Sequence, residues 1–187
     1  MYFRAPGANR SGRTVVRING NAEAWELQAP GLSALYTAAG VNFLVVNFRG
    51  VGRSRFPRAL GSERLGVAAA VLGSRRALSA AVLDTWSVVQ FVLRALGVPE
   101  PRVAVVGHSI GGALAAALLA QRPLRVALCS SRSFARLLPV AAHLAPVLLE
   151  VPPHGLRGRA LTRLTQALLW LGRWELCAPP PPPPPPP

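Results

Sequence analysis

The chain has no lysine, a single aspartate (Asp84) and only two cysteines in 187 residues, and each scarcity narrows what it can be. Cys129 and Cys177 cannot build a disulfide framework and lack metal-ligand spacing. Cys129 lies in an apolar run and reads as a buried small residue. His108, His143 and His154 do not cluster with carboxylates, so neither a metal nor another cofactor is expected. Without lysine, the formal charge of +14 rests entirely on arginine. The arginines are scattered, with only Arg75 and Arg76 adjacent. Together with abundant Ala, Gly, Pro and Leu, this reads as a bias of the coding sequence, and no nucleic-acid partner is expected. No stretch reaches the roughly 18 apolar residues of a membrane span; the best, Leu137 to Val151, is broken by Pro139, His143 and Pro146. Met1-Tyr2-Phe3-Arg4 lacks the apolar core of a secretory signal, which leaves the cytoplasm as the default location.

What is present is a chain 51% hydrophobic, long enough to bury one sizeable core. Short apolar runs alternate with helical patterns, the mark of an α/β fold with a mostly parallel sheet. Four strands are predicted, at Thr14–Ile18, Asn42–Asn47, Arg102–Val106 and Arg125–Cys129, with helices on both faces. Helices are predicted at Ala24–Ala39, interrupted near Pro30-Gly31, at Ser79–Leu96 and at Ile110–Gln121. The second should bury Leu83, Trp86, Val89, Leu93 and Leu96. Phe134–Leu149 should break into pieces at Pro139 and Pro146, and Leu161–Leu171 should form a last helix. Arg53 to Ala77, punctuated by Gly61, Gly66 and Gly73, takes no assignment. Pro179 to Pro187 is an unbroken proline tract, a polyproline II rod outside any core. It reads as a low-complexity, disordered extension, with an SH3 or WW-type domain as its alternative partner.

Gly107-His108-Ser109-Ile110-Gly111 matches G-x-S-x-G. It follows the strand-like Val103-Ala104-Val105-Val106 and opens a small-residue helix, the strand–turn–helix setting that a nucleophile elbow requires. A Cβ at Gly107 or Gly111 would collide with neighbouring backbone in so tight a turn, with His108 at its variable position. The turn pushes the Ser109 hydroxyl out at the C-terminal edge of the sheet, where parallel folds place their sites. At a helix N-terminus unpaired N–H groups favour developing negative charge. Ile110 would supply one oxyanion donor from its backbone. Asn19-Gly20-Asn21-Ala22, after the first strand, would supply the other through the N–H of Asn21.

These landmarks, with Asn47-Phe48-Arg49-Gly50-Val51-Gly52-Arg53-Ser54, resemble the α/β-hydrolase superfamily over roughly Thr14 to Leu176. Asn19 departs from the His-Gly usual in that family, although a backbone donor does not depend on it. Arg49 should anchor its turn. The resemblance implies a serine hydrolase that cleaves small-molecule carboxylic esters or thioesters through an acyl-Ser109 intermediate.

A serine hydroxyl needs a base, and the base an orienting acid. In the family both follow the serine, on loops after later strands. Asp84 precedes it and reads as a carboxylate favoured near a helix N-terminus. Glu150 and His154 come in the right order, but their spacing of four residues opposes presenting both toward Ser109. The sequence therefore reads as a partial domain at 14–178, a natural remnant or a truncated gene product, between an N-terminal segment at 1–13 and the tail at 179–187. Arg125–Cys129 would then form an exposed apolar sheet edge. The alternative function is a catalytically inactive, hydrolase-like scaffold that interacts through its polyproline tail.

Overall fold

The computed structural model describes residues 1–7, 11–20, 23–49, 53–54, 75–134, 137–150, 152 and 154–171. They fall into two compact units, Met1–Phe134 and Ala135–Pro187. The tail and Cys177 lie outside the described residues, as does Arg55 to Ser74, most of the segment that took no assignment.

The first unit is a five-stranded sheet in the order β1-β3-β2-β4-β5. β1 is Tyr2–Phe3, β2 Thr14–Ile18, β3 Asn42–Val46, β4 Val103–His108 and β5 Ala127–Ser131. The last four pair in parallel, while β1 runs antiparallel to β3. Two-residue β1 has too few positions for an alternating pattern, so periodicity could not reveal it. Between the strands run helices α1 (Trp25–Ala38), α2 (Arg75–Gln90) and α3 (Ile110–Gln121).

Alternation along the strands sends side chains to two faces. On one, Val15, Phe43 and Val45 pack with Ala29 of α1, flanked by Trp25, Leu32 and Tyr36. The Tyr36 and Phe43 rings stack with centroids 5.0 Å apart. On the other, Val16, Leu44 and Val105 are buried, and α2 and α3 pack there against β2, β4 and each other.

Several predicted details give way to tertiary context. α1 runs unbroken through Pro30. The ring removes only one N–H from the ladder near the helix start and faces solvent, and the aromatic face of the helix is anchored on the sheet. α2 buries Val82, Thr85 and, as predicted, Val89, with Val92 in the wide turn that follows, and leaves Leu83 54% exposed; apart from Val89, the buried line lies one position before the predicted stripe. Asp84 sits in the body of α2 rather than at its start, and both its oxygens accept from the Arg49 guanidinium. That pair ties the turn after β3 to α2. In the same turn Asn47 Oδ1 accepts the Trp25 N–H at 2.8 Å and so caps α1, and Ser54 Oγ donates to the Asn47 carbonyl. β5 begins two residues later than predicted, because Ala104 to His108 pair in register with Ala127 to Ser131. It is the outer strand, and Ala127 to Ser130 are exposed. Cys129 is accordingly exposed and not buried.

Gly31 lies inside α1, exposed, with nothing within 4 Å of where a Cβ would stand. Gly31→Ala is expected to stabilise the protein by about 0.5–1 kcal/mol, through lower unfolded-state entropy. A higher urea midpoint at unchanged slope checks this.

The second unit is a helical pair, α4 (Leu137–Leu148) and α5 (Leu156–Leu171), packed on each other. α4 is continuous, contrary to the break expected from its prolines. Pro139 occupies the third helical position, where the N–H has no intrahelical acceptor, so only Pro146 removes a bond. Buried Gly158 sits in the first turn of α5, which begins five residues before the predicted start. Among the described residues, no helix is long and apolar enough to cross a membrane.

Candidate active site at the turn between β4 and α3

The C-terminal ends of β2, β4 and β5 meet at one edge of the sheet. Ile18 pairs with Gly107, and His108 with Ser131. Ser109 follows directly, as the residue that precedes α3, with φ 50° and ψ −122°. That conformation lies outside the regions open to L-residues without strain. Its surroundings hold it from both sides. The Ser109 N–H donates to the Ser131 carbonyl at 2.9 Å, and Ser133 Oγ donates to the Ser109 carbonyl at 2.8 Å.

Three glycines make the turn possible. A Cβ on Gly107 would stand within 3.0 Å of the Gly111 and Gly112 backbone. One on Gly111 would meet the carbonyls of Ile18 and Asn19, and one on Gly112 would meet the side chains of Ser130 and Ser133. The start of α3 thus packs directly onto the ends of β2 and β5. Among the described residues, no backbone carbonyl accepts the Ile110 amide.

Asn21 and Ala22 lie outside the described residues, so the predicted second donor has no geometry here. The residues on either side of them do. Gly20 N–H donates to Glu23 Oε2 at 2.6 Å, so the Gly20 amide is already committed. Glu23 also faces Arg17 Nη2 at 3.5 Å and His108 Nε2 at 3.6 Å. Burial works to raise the Glu23 carboxyl, but the Gly20 N–H, the Gln28 side chain and the charges of His108 and Arg17 together hold it below its ordinary value. Asn19 is 1% exposed; its Nδ2 donates to the Glu23 carbonyl, and its Oδ1 has no partner among the described residues.

Glu23 escaped the sequence reading, which weighed Asp84 before Ser109 and otherwise sought the acid after it. The signal was available in the Gly20-to-Glu23 spacing. A glutamate three residues on, just before a helix, reaches back to a backbone N–H as in a capping box.

Glu150 and His154 belong to the second unit. Both are exposed and lie in the connection between α4 and α5, where Glu150 has φ 56° and donates its N–H to the Val147 carbonyl at 3.1 Å. Exposed His143 is on α4. Among the described residues no three His, Cys, Asp or Glu groups gather as metal ligands. A cleft of about 380 Å³ opens at the C-terminal end of β3, between Trp25, Asn47, Ser54 and Asp84. Ser109 does not line it.

A family model described as alpha/beta hydrolase fold matches residues 13–161. The chain is similar to an α/β hydrolase from Vibrio vulnificus, with a TM-score of 0.56 and 24% identity over 82% of this chain and 48% of that one. It is similar to an esterase from the bacterial hormone-sensitive lipase family, with a TM-score of 0.52 and 20% identity over 90% of this chain and 51% of that one. Acetyl xylan esterase 1 from Thermoanaerobacterium sp. aligns with a TM-score of 0.51 and 22% identity, over 88% and 56% of the two chains. The chain therefore spans about half the length of these proteins. Among curated protein sequences, none matches it.

Proposed function

The chain belongs to the α/β-hydrolase fold family, and from that premise we propose that it is a serine hydrolase of carboxylic esters or thioesters, acting on a small molecule through an acyl-Ser109 intermediate. The observation that carries this reading is the backbone of Ser109, at φ 50° between β4 and α3. A strained residue packed in place at a strand–helix junction is the feature a nucleophile elbow needs, since it projects its side chain from the sheet edge.

In the proposed reaction Ser109 Oγ attacks the carbonyl carbon, and a base takes the hydroxyl proton. The carbonyl oxygen, now negative, is met by the N–H groups of Ile110 and Asn21. Collapse of the tetrahedral intermediate expels the alcohol or thiol, which leaves with the proton returned by the base. Water then attacks the acyl-serine by the same steps and frees the acid and Ser109. His154 as base, oriented by Glu150, is the assignment in the family's chain order. Their separation by four residues is the argument against it.

The test is a fluorophosphonate probe, which phosphonylates an activated serine with loss of fluoride. Wild-type protein should be labelled and Ser109→Ala should not. Loss of labelling in His154→Ala as well would assign the base. A folded wild-type protein that takes no label would overturn the reading. The second reading, an inactive scaffold that engages an SH3 or WW-type domain, has only the Pro179–Pro187 tract in its favour.

A further inference from the structure

Glu23 has no part in the chemistry proposed for Ser109, yet contacts from three directions converge on it. Its Oε2 accepts the Gly20 N–H at 2.6 Å. Its own N–H donates to the Gly20 carbonyl at 3.4 Å. Asn19 Nδ2 donates to its carbonyl at 3.2 Å. The segment after β2 is therefore closed on itself at both ends, once through backbone and twice through side chains.

The carboxylate is faced in turn by a guanidinium and an imidazole from two different strands. Arg17 Nη2 reaches Oε2 from β2, and His108 Nε2 faces Oε1 from β4. From α1, the Gln28 side chain also favours the ionised carboxylate. The Arg17, Glu23 and His108 side chains are 14%, 20% and 25% exposed, so the cluster is largely withdrawn from water and its charges are only partly screened. Gly20 has little room beside it: a Cβ there would stand 3.1 Å from His108 Cδ2 and 3.2 Å from the Glu23 carboxyl.

We propose that Glu23 is a positioning residue of the Ser109 site, holding Gly20 at the end of β2 beside His108 and so bracing the turn that carries Ser109. The inference rests on the reading of Ser109 as nucleophile and deepens it. His108 immediately precedes Ser109, so the His108–Glu23 pair links the strand that leads into the nucleophile to the residues that follow β2. Glutamate suits the role because an ionised carboxylate is acceptor-only and has two oxygens. One takes Gly20, the other faces His108.

The clamp has a pH signature with a definite sign. Because the folded-state value of Glu23 is depressed, its contribution is complete above the ordinary carboxylate value and is lost as pH falls through the folded one. Arg17 and His108 are the charged or titratable groups that face it among the described residues.

Two measurements on the full chain test this. The first follows the Gly20 amide in ¹H–¹⁵N spectra of wild-type protein from pH 7 to 3. A resonance that moves below the ordinary glutamate range, and stays still in Glu23→Gln, is expected. A Gly20 amide that ignores pH in the wild type overturns the clamp, whether or not any variant folds. The second is the rate of fluorophosphonate labelling of Ser109. Glu23→Ala should slow it by about 100-fold, the loss expected when the reacting geometry shifts by about 1 Å. Glu23→Gln, which keeps an acceptor for Gly20, should recover part of that rate. Wild-type labelling rates in both variants, with circular dichroism unchanged, would overturn the positioning role. No labelling in the wild type, with a titrating Gly20, would remove the nucleophile reading and the positioning role with it, and leave the clamp as a structural feature alone.

Discussion

Gly111→Ala is expected to destabilise the protein by about 4 kcal/mol or more, a size reserved for a few mechanisms of which steric overpacking is one. By helix propensity alone the change should help, since alanine is favoured over glycine by about 1 kcal/mol inside a helix. Position reverses the sign. The new Cβ would stand within 3.0 Å of the Ile18 carbonyl group and the Asn19 carbonyl oxygen. These are backbone atoms at the end of β2, and no flexible side chain can yield in their place. Relief would require α3 to lift from the sheet, opening the contacts of Gly107 and Gly112 at the same time. Against the roughly 5–15 kcal/mol by which domains are stable, such a loss would leave little folded protein. Gly31→Ala supplies the contrast, the same substitution in open space. Equal urea midpoints for the two variants would sink the steric account of the turn.

The second large effect separates stability from reactivity at one residue. Ser109→Gly should raise stability by about 1 kcal/mol while abolishing fluorophosphonate labelling. A non-glycine residue at φ 50° and ψ −122° carries strain on the order of 1–3 kcal/mol. Glycine relieves it, less the roughly 0.5–1 kcal/mol of extra unfolded-state entropy that glycine brings. Ser109→Ala also lacks the hydroxyl but keeps a Cβ, and so should show no comparable gain. The difference in melting temperature between the two variants isolates backbone strain from loss of the side chain. A Ser109→Gly protein no more stable than Ser109→Ala would mean that the turn stores no strain.

Both effects follow from one spacing, and that spacing is legible in the sequence itself. Glycines two positions either side of Ser109, an alternating apolar run before them and small residues after them leave few other ways to fold. The parallel strands Thr14–Ile18 and Asn42–Val46 were legible for the same reason, since β-branched and apolar runs bounded by turn residues have a strong local signal. The family match over residues 13–161 agrees with the α/β reading.

Local sequence failed where a remote partner decided the outcome. Pro30 did not interrupt α1, because the cost of one missing hydrogen bond is small beside the burial of Trp25, Ala29, Leu32 and Tyr36 on the sheet. Cys129 is exposed because β5 is the outer strand, and strand order is a property of crossovers that no single run encodes. Asp84 took its role from Arg49, 35 residues earlier. Glu23 took its role from Arg17 on one strand and His108 on another.

By itself, then, the sequence determined the alternation of strands and helices, the site of the glycine turn and the identity of its serine. These depend on residues within a few positions of one another, where sterics and periodicity act directly. Only the tertiary structure decided which strand lies outermost, which charges pair, and that Glu23 faces Arg17 and His108 beside the turn that carries Ser109. Those depend on distances between residues far apart in the chain, which exist only after the sheet has brought the ends of β2, β4 and β5 to one edge.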